Sequence, residues 1–468
     1  MIFSFSRSTP KPHLGSLDVH RQNLSIVRLT AVCSHWRSVA IEHALLWSNI
    51  AFTTSILPTI NCATIFLQRS KGTSLHVHIW DVFTTRCPPL LRPTRSALSN
   101  LLSLISSQRN RIVFLEVIEP SVGVFDALQG PAENVTKVVI QGRTPRQRLD
   151  PFSGKLPNIR QITLIHPGPC RLRTLTYLTQ VTLHSGSRKW TFEGFLDCVD
   201  GCSSLRSLSI IRYLDFPDQG KDTTRTVSLP SLTDLHLDTC DTATILDHLK
   251  IPATASVSIG IDIEYVPNFN NAFSCMPRKT DRINFLRDTR SLTVVFDRSR
   301  GDFHISGFKG RTPVFLFQLR GSLTQLDDGW VHRSLEAATN ILPFSQITSL
   351  ALVADNAHVP WDSWLRQCGR LSALDVRCAD TRDLVAVLNR TQNDNPLCHT
   401  LKELSISSLR DSPWNSYASL LKSTIRSRKR QGSPLSRLAM TVSEWDVIRR
   451  IDPSWVELVR RQGTRPYA

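Results

Sequence analysis

Few residues of this chain are spaced as catalytic or metal-binding groups need to be. His76 and His78 flank a single residue, and Asp81 follows shortly after. On a strand the two imidazoles share one face, as two metal ligands would. A third ligand at motif spacing is lacking, so no metal is expected. Cys33 and His35 stand close in sequence, but on a helix they point apart and cannot form a thiolate–imidazole pair. The nearest cysteines are Cys198 and Cys202, and the 11 cysteines include no C-x-x-C pair. Reduced, mostly buried thiols fit that irregular spacing better than a zinc ribbon or a disulfide framework. Phosphate loops, dinucleotide fingerprints, nucleophile elbows and HExxH helices do not occur in the sequence. The chain is therefore expected to be no enzyme and to take no cofactor.

The sequence repeats itself instead. A phrase of the form apolar-x-x-apolar-x-apolar occurs ten times between Ile112 and Met440. Ile159, Ile162 and Leu164 form one copy, Leu205, Leu208 and Ile210 another, and Leu371, Leu374 and Val376 a third. Successive copies in the first half follow at about 19–27 residues, within reach of the leucine-rich-repeat period, and the later ones are longer. The last two apolar residues of a phrase share one face of a strand and would pack inward. Arg160, Gln180, Arg206, Asp234 and Lys402 would then face outward. Between phrases, SALSNLLSLISSQ, FEGFLDCVD, DTATILDHL, WDSWLRQC, TRDLVAVLNRT and NSYASLLKSTIRS carry helical apolar spacing, with Asp241 a candidate N-cap for the third. One strand cannot bury its inner face alone, but stacked strands backed by helices can. The expected fold class is thus α/β: an irregular leucine-rich-repeat-like solenoid of parallel strands backed by helices, over residues 51–468.

Two features depart from a regular repeat. Only LPSLTDLHLDTC carries the usual turn cysteine after its last apolar position, through Cys240. The stretch from about 251 to 330 is β-rich, with SVSIGIDIEYV, RSLTVVFDRS, DFHISGF and TPVFLFQL reading as strands. The last two suggest a hairpin joined by Gly307 to Thr312. This stretch reads either as distorted repeats or as a β-rich insertion.

Residues 23–50 differ from the rest. Ile26, Leu29, Val32, Cys33, Trp36, Val39 and Ala40 recur at helical steps, predicting one helix that ends near His43. Leu45, Leu46 and Trp47 follow as an apolar cluster. Such a helix must pack on the repeats or on a partner. The stretch VCSHWRSVAIEHALLWSNI resembles the second half of the F-box of large fungal families, and the repeat region resembles their irregular leucine-rich-repeat tails. Residues 1–22 are expected to be poorly ordered, without the Leu-Pro-x-Glu-like motif and first helix that open a full F-box. The resemblance implies a non-catalytic substrate receptor of a cullin–RING ubiquitin ligase. Leu29, Val32, Cys33, Trp36 and Trp47 would form the surface that docks on a Skp1-like adaptor, and the repeats would hold a protein substrate not named by the sequence. The same residues read equally well as an apolar cap on the end of the repeats.

The chain carries 56 Lys plus Arg against 39 Asp plus Glu, a net charge of +17. The positive residues are spread along it, aromatics make up 7%, and patterns of nucleic-acid-binding folds are lacking, so nucleic acid is not expected as a partner. The densest basic cluster, Arg426, Arg428, Lys429 and Arg430, reads as a nuclear import signal or as the solvated end of a helix. No run reaches the length of a membrane-spanning helix, and neither a membrane nor a secretory route is expected. The expected location is cytoplasmic or nuclear.

Overall fold

A computed structural model describes residues 16–81, 94–119, 122–128, 130–142, 156–166, 175–184, 191–211, 224–265, 270–277, 280–297, 302–321, 328–354, 358–378, 381–392, 395–408, 414–440 and 459–460. The chain is mixed α/β, and its strands pair mostly in parallel. It divides into two compact units, Met1–Ser231 and Leu232–Ala468.

The first unit opens with α1 (Ser16–Ala31), α2 (Ser34–Glu42), β1 (Asn49–Thr53), α3 (Leu57–Arg69), β2 (Leu75–Trp80) and α4 (Arg95–Ser107). It continues with β3 (Ile112–Ile118), α5 (Val122–Ala127), β4 (Lys137–Gln141), β5 (Gln161–Ile165), β6 (Gln180–His184), α6 (Phe192–Val199) and β7 (Ser207–Ile211). Strands β1 to β7 pair in chain order, every pair parallel. The register aligns Ile50, Val77, Leu115, Val138, Ile162, Val181 and Leu208 in one inward row. Phe52, Ile79, Val117, Ile140, Leu164, Leu183 and Ile210 form the next, and both rows are buried. Helix α6 lays Phe192, Phe195, Leu196 and Val199 into the interior, capped by Thr191, whose hydroxyl accepts from the Gly194 amide.

The second unit holds β8 (Asp234–Asp238), α7 (Thr242–His248), β9 (Ser256–Asp262), β10 (Ser291–Asp297), β11 (Asp302–Lys309), β12 (Thr312–Arg320), α8 (Asp328–Ile341), β13 (Ser349–Ala354) and α9 (Trp361–Gln367). There follow β14 (Ala373–Cys378), α10 (Arg382–Leu388), β15 (Glu403–Ser408), α11 (Trp414–Arg430), β16 (Arg437–Met440) and β17 (Val459–Arg460). All six segments with helical spacing are helices. Asp241 takes the N-cap position of α7, but its side chain makes no capping bond.

The β-rich stretch joins the sheet rather than standing apart from it. Strands β10, β11 and β12 form an antiparallel meander whose two outer members pair in parallel with their neighbours, β12 with β9 and β10 with β13. Inward rows within this unit pass straight through it. Ile259 aligns with Phe317, Ile305, Val294 and Leu352 in turn. Gly307 lies in the neighbouring row beside Phe315. A Cβ there would stand 3.3 Å from the Phe315 Cβ and 3.1 Å from the Thr289 Cγ2, closer than ordinary van der Waals contact. The hairpin turn is tighter than expected: only Gly310 and Arg311 separate the strands, and Gly310 supplies the positive φ of 63°.

One turn recurs before the strands of both units. The carbonyl of Thr136 accepts from the amides of Arg160 and Gln161, at 2.8 and 3.0 Å. Arg160 serves Thr179 and Gln180 in the same way, Thr179 serves Arg206 and Ser207, Thr348 serves Ser372 and Ala373, and Ser372 serves Lys402 and Glu403. Just before it, most phrases close a tight turn from the first apolar residue back to the residue three earlier, as in Leu178 to Leu175 and Ile347 to Phe344. Three cysteines occupy that earlier position: Cys202, Cys368 and Cys398 precede Leu205, Leu371 and Leu401. All three are buried. The recurrent cysteine place is therefore ahead of the phrase, and Cys240 behind it is only half-buried.

The basic cluster at the end of α11 is not a uniformly solvated one. Arg428 is buried and donates to the carbonyls of Leu397 (2.7 Å) and Cys398 (2.8 Å). Cys398 has a positive φ of 49°, so the guanidinium secures a strained turn.

Two outcomes follow from this packing. Phe317→Ala should lower unfolding free energy by about 3–5 kcal/mol in chemical denaturation, whereas Leu316→Ala, on the opposite face, should change it by about 0.5 kcal/mol or less. A register shifted by one residue would reverse that order. Burial raises the thiol pKa of Cys398 to about 12 and also raises that of Cys368. Both stay protonated at neutral and mildly alkaline pH, so iodoacetamide should modify exposed Cys33 in the native protein and reach Cys368 and Cys398 only on unfolding.

Candidate functional site

The histidine pair lies on β2, but it is not assembled as a metal site. His78 is buried and its Nδ1 lies 2.6 Å from Glu116 Oε2 on β3. His76 is exposed and its ring sits 5.7 Å from that of Phe114. Asp81 accepts from the Thr54 hydroxyl. Among the described residues, no three His, Cys, Asp or Glu side chains gather as ligands.

The amino-terminal segment contains two helices where one was expected. The apolar spacing runs on across the break, which is why periodicity alone joins them. At the junction Cys33 is extended (φ −157°, ψ 171°) and caps α2, its Sγ accepting from the Trp36 amide at 3.5 Å. Arg37 Nε donates to the Thr30 carbonyl at 2.9 Å, tying α2 to the end of α1. Helix α1 begins at Ser16, inside the stretch expected to lack a helix. Its first turns, with Asp18, His20, Arg21 and Gln22, carry too little apolar periodicity to announce it. Residues 1–15 of the expected poorly ordered terminus lie outside the described residues.

This segment is built onto the free edge of β1. His76 donates to Ser48 and Thr54 donates to Trp80, so alternate backbone groups of β1 serve β2 and the others face away. Asn23 Nδ2 reaches one of those, the Ala51 carbonyl, at 2.6 Å. Thr59 of α3 serves another residue, accepting from the Thr53 amide (3.1 Å) and donating to its carbonyl (3.0 Å). Trp47 is wholly buried. Its indole N–H donates to the Ala40 carbonyl at 2.6 Å, its ring meets Phe66 edge-on at 4.9 Å, and the Arg69 guanidinium lies 4.5 Å from it.

The five residues assigned to the docking surface therefore separate. Val32 is 65% exposed and Cys33 is exposed. Leu29 and Trp36 are half-buried. Trp47 offers no surface at all, because its indole nitrogen is satisfied inside. Val27, Val39, Ile41 and Leu45 are exposed as well, the last 52%, and none of them was assigned to the docking surface. Val39 and Ile41 flank buried Ala40 on α2, so a smooth apolar stripe hides which side chains are covered.

No protein-family model matches the chain, and no curated protein matches it. Among solved structures, a chain of the Toll–Spatzle complex of Drosophila is similar at 14% identity and a TM-score of 0.36, over 84% of this chain and 51% of that one. The chain thus spans about half the length of its Toll-complex counterpart. Among the described residues, no helix is long and apolar enough to cross a membrane.

Replacing Trp47 with alanine should cost about 3–5 kcal/mol of stability, measured by denaturant unfolding. Val32→Ser should change it by about 0.5 kcal/mol or less. Equal costs would mean that both side chains are core or both are surface.

Proposed function

We propose that the chain is a non-catalytic adaptor: a leucine-rich-repeat-like solenoid whose amino-terminal helices dock on a Skp1-like adaptor of a cullin–RING ubiquitin ligase. The repeats hold the protein substrate, and ubiquitin transfer belongs to a recruited enzyme. The observation that carries the reading is the crowding of exposed apolar side chains in one short segment. Of the nine large apolar side chains exposed among the described residues, Val27, Val32, Val39, Ile41 and Leu45 lie within α1, α2, the junction between them and the turn after them. Water-facing valine and isoleucine at that density favour a partner, and the segment is the one that resembles an F-box. The solenoid part is supported by parallel pairing in chain order and by the recurrent double-acceptor turn. A ligase subunit of this kind works in the cytoplasm or nucleus, in keeping with the buried thiols of Cys275, Cys368 and Cys398.

A second reading, a protein-interaction scaffold that binds no Skp1-like adaptor, is favoured by Asn23, Ile26 and Trp47. These three residues serve the edge of β1 and the core beneath it, a purpose complete without a partner. Gel filtration of the full chain with a recombinant fungal Skp1 separates the two readings. The adaptor reading expects a stable complex, weakened at least roughly tenfold in Val32→Glu/Leu45→Glu, as for hot-spot loss, with an unchanged circular dichroism spectrum. No complex with the wild-type chain sinks the ligase reading and leaves the scaffold.

A further inference from the structure

The outward face of β3 to β7 has a chemistry of its own. Its register sets Phe114, Lys137, Gln161, Gln180 and Ser207 in one row and Glu116, Val139, Thr163, Thr182 and Ser209 in the next. Glu116 is the single carboxylate of the two rows. It is 15% exposed and held by His78, so it projects little negative charge. Exposed cations stand at the amino-terminal ends of the strands instead: Lys137 at the start of β4, and Arg160 and Arg206 just before β5 and β7. Aromatic rings brace two of them. The Lys137 Nζ lies 5.6 Å from the Phe114 ring and the Arg160 guanidinium 5.3 Å from the Tyr177 ring, with an Arg160 Nη1 donating to the Tyr177 carbonyl at 3.2 Å.

We infer that this rim and face bind an extended acidic protein segment. Held cations lose less side-chain freedom on pairing with carboxylates than free ones do. The amide and hydroxyl rows beside them can bond a partner's backbone without imposing a charge of their own. Electrostatic complementarity then selects the sign of the partner and speeds its arrival. Single-stranded nucleic acid is the poorer fit, because its bases need a series of exposed rings to stack on, and among the described residues Tyr177 is the one strongly exposed aromatic. Calling the segment a ligase substrate rests on the proposed function; the binding itself does not.

The test is fluorescence anisotropy with the full-length chain and a short fluorescein-labelled peptide of alternating Glu and Ser, at low and physiological salt. The expected result is saturable binding that weakens with salt, with a Lys/Ser peptide unbound. Lys137→Glu/Arg160→Glu/Arg206→Glu should lose affinity at least roughly tenfold. Lys137→Gln/Arg160→Gln/Arg206→Gln should show an intermediate loss, and it carries the test if the charge-reversed protein fails to fold. Wild-type affinity in the folded charge-reversed variant, or in the Gln variant, overturns the inference. So does tighter binding of an oligothymidine at physiological salt. Gel filtration with Skp1 on the wild-type chain keeps the two ideas separate: complex formation without peptide binding indicts the acidic-segment inference alone, and the converse indicts the adaptor reading alone.

Discussion

Everything else in this protein depends on the in-register alignment of inward apolar rows across the strands of each unit. A parallel strand with one buried face has no stability of its own; its Leu, Ile and Val side chains are covered only when the next strand brings its own to the same level. Side chains alternate along a strand, so a slip of one residue would carry Ile162 and Leu164 to the water side and Gln161 and Thr163 inward. Where a carbonyl just ahead of a strand accepts two amides, as at Thr136, Arg160, Thr179, Thr348 and Ser372, it fixes the level at which the next strand begins. The meander of β10 to β12 obeys the same rule while reversing chain direction, which is how an irregular stretch continues the rows instead of ending them.

Rows that need neighbours create a difficulty where they begin. Strand β1 has unpaired backbone groups on its outer edge, and exposed edges recruit other strands. Here side chains cover that edge, Asn23 from α1 and Thr59 from α3, with Trp47 packed beneath. The amino-terminal segment is thus needed by the sheet whatever else it does. Covering the edge uses Asn23, Ile26, Ala40 and Trp47 and leaves Val32, Val39, Ile41 and Leu45 exposed. The proposed docking is a reading of that remainder. The same segment would serve as an internal cap on one side and a partner surface on the other.

Legibility in the sequence followed the number of residues that had to agree. Phrases with three apolar positions were readable, each lying on a strand, and so were the six segments of helical spacing, all of them helices. Strand β1, Asn-Ile-Ala-Phe-Thr, has no such phrase and was not marked. The break between α1 and α2 was invisible because Val32, Cys33 and Trp36 keep helical spacing through it, while an extended Cys33 is a matter of one residue's dihedrals. Exposure was harder still. Trp47 and Leu45 look alike as apolar neighbours, yet one finds the Ala40 carbonyl and the Phe66 ring and the other faces water. Arg428 shows the same limit for charge: within a basic run, only the position of the Leu397 and Cys398 carbonyls makes one arginine an interior residue.

Hydrogen–deuterium exchange of the full chain, alone and with a fungal Skp1 in excess, bears most directly on the claim that the exposed apolar remainder of the cap is a docking surface. The account predicts added protection confined to peptides covering residues 27–45, with the strand peptides from β3 onward unchanged. Protection that appears on the strands instead, or a segment that exchanges identically with and without Skp1, would contradict it.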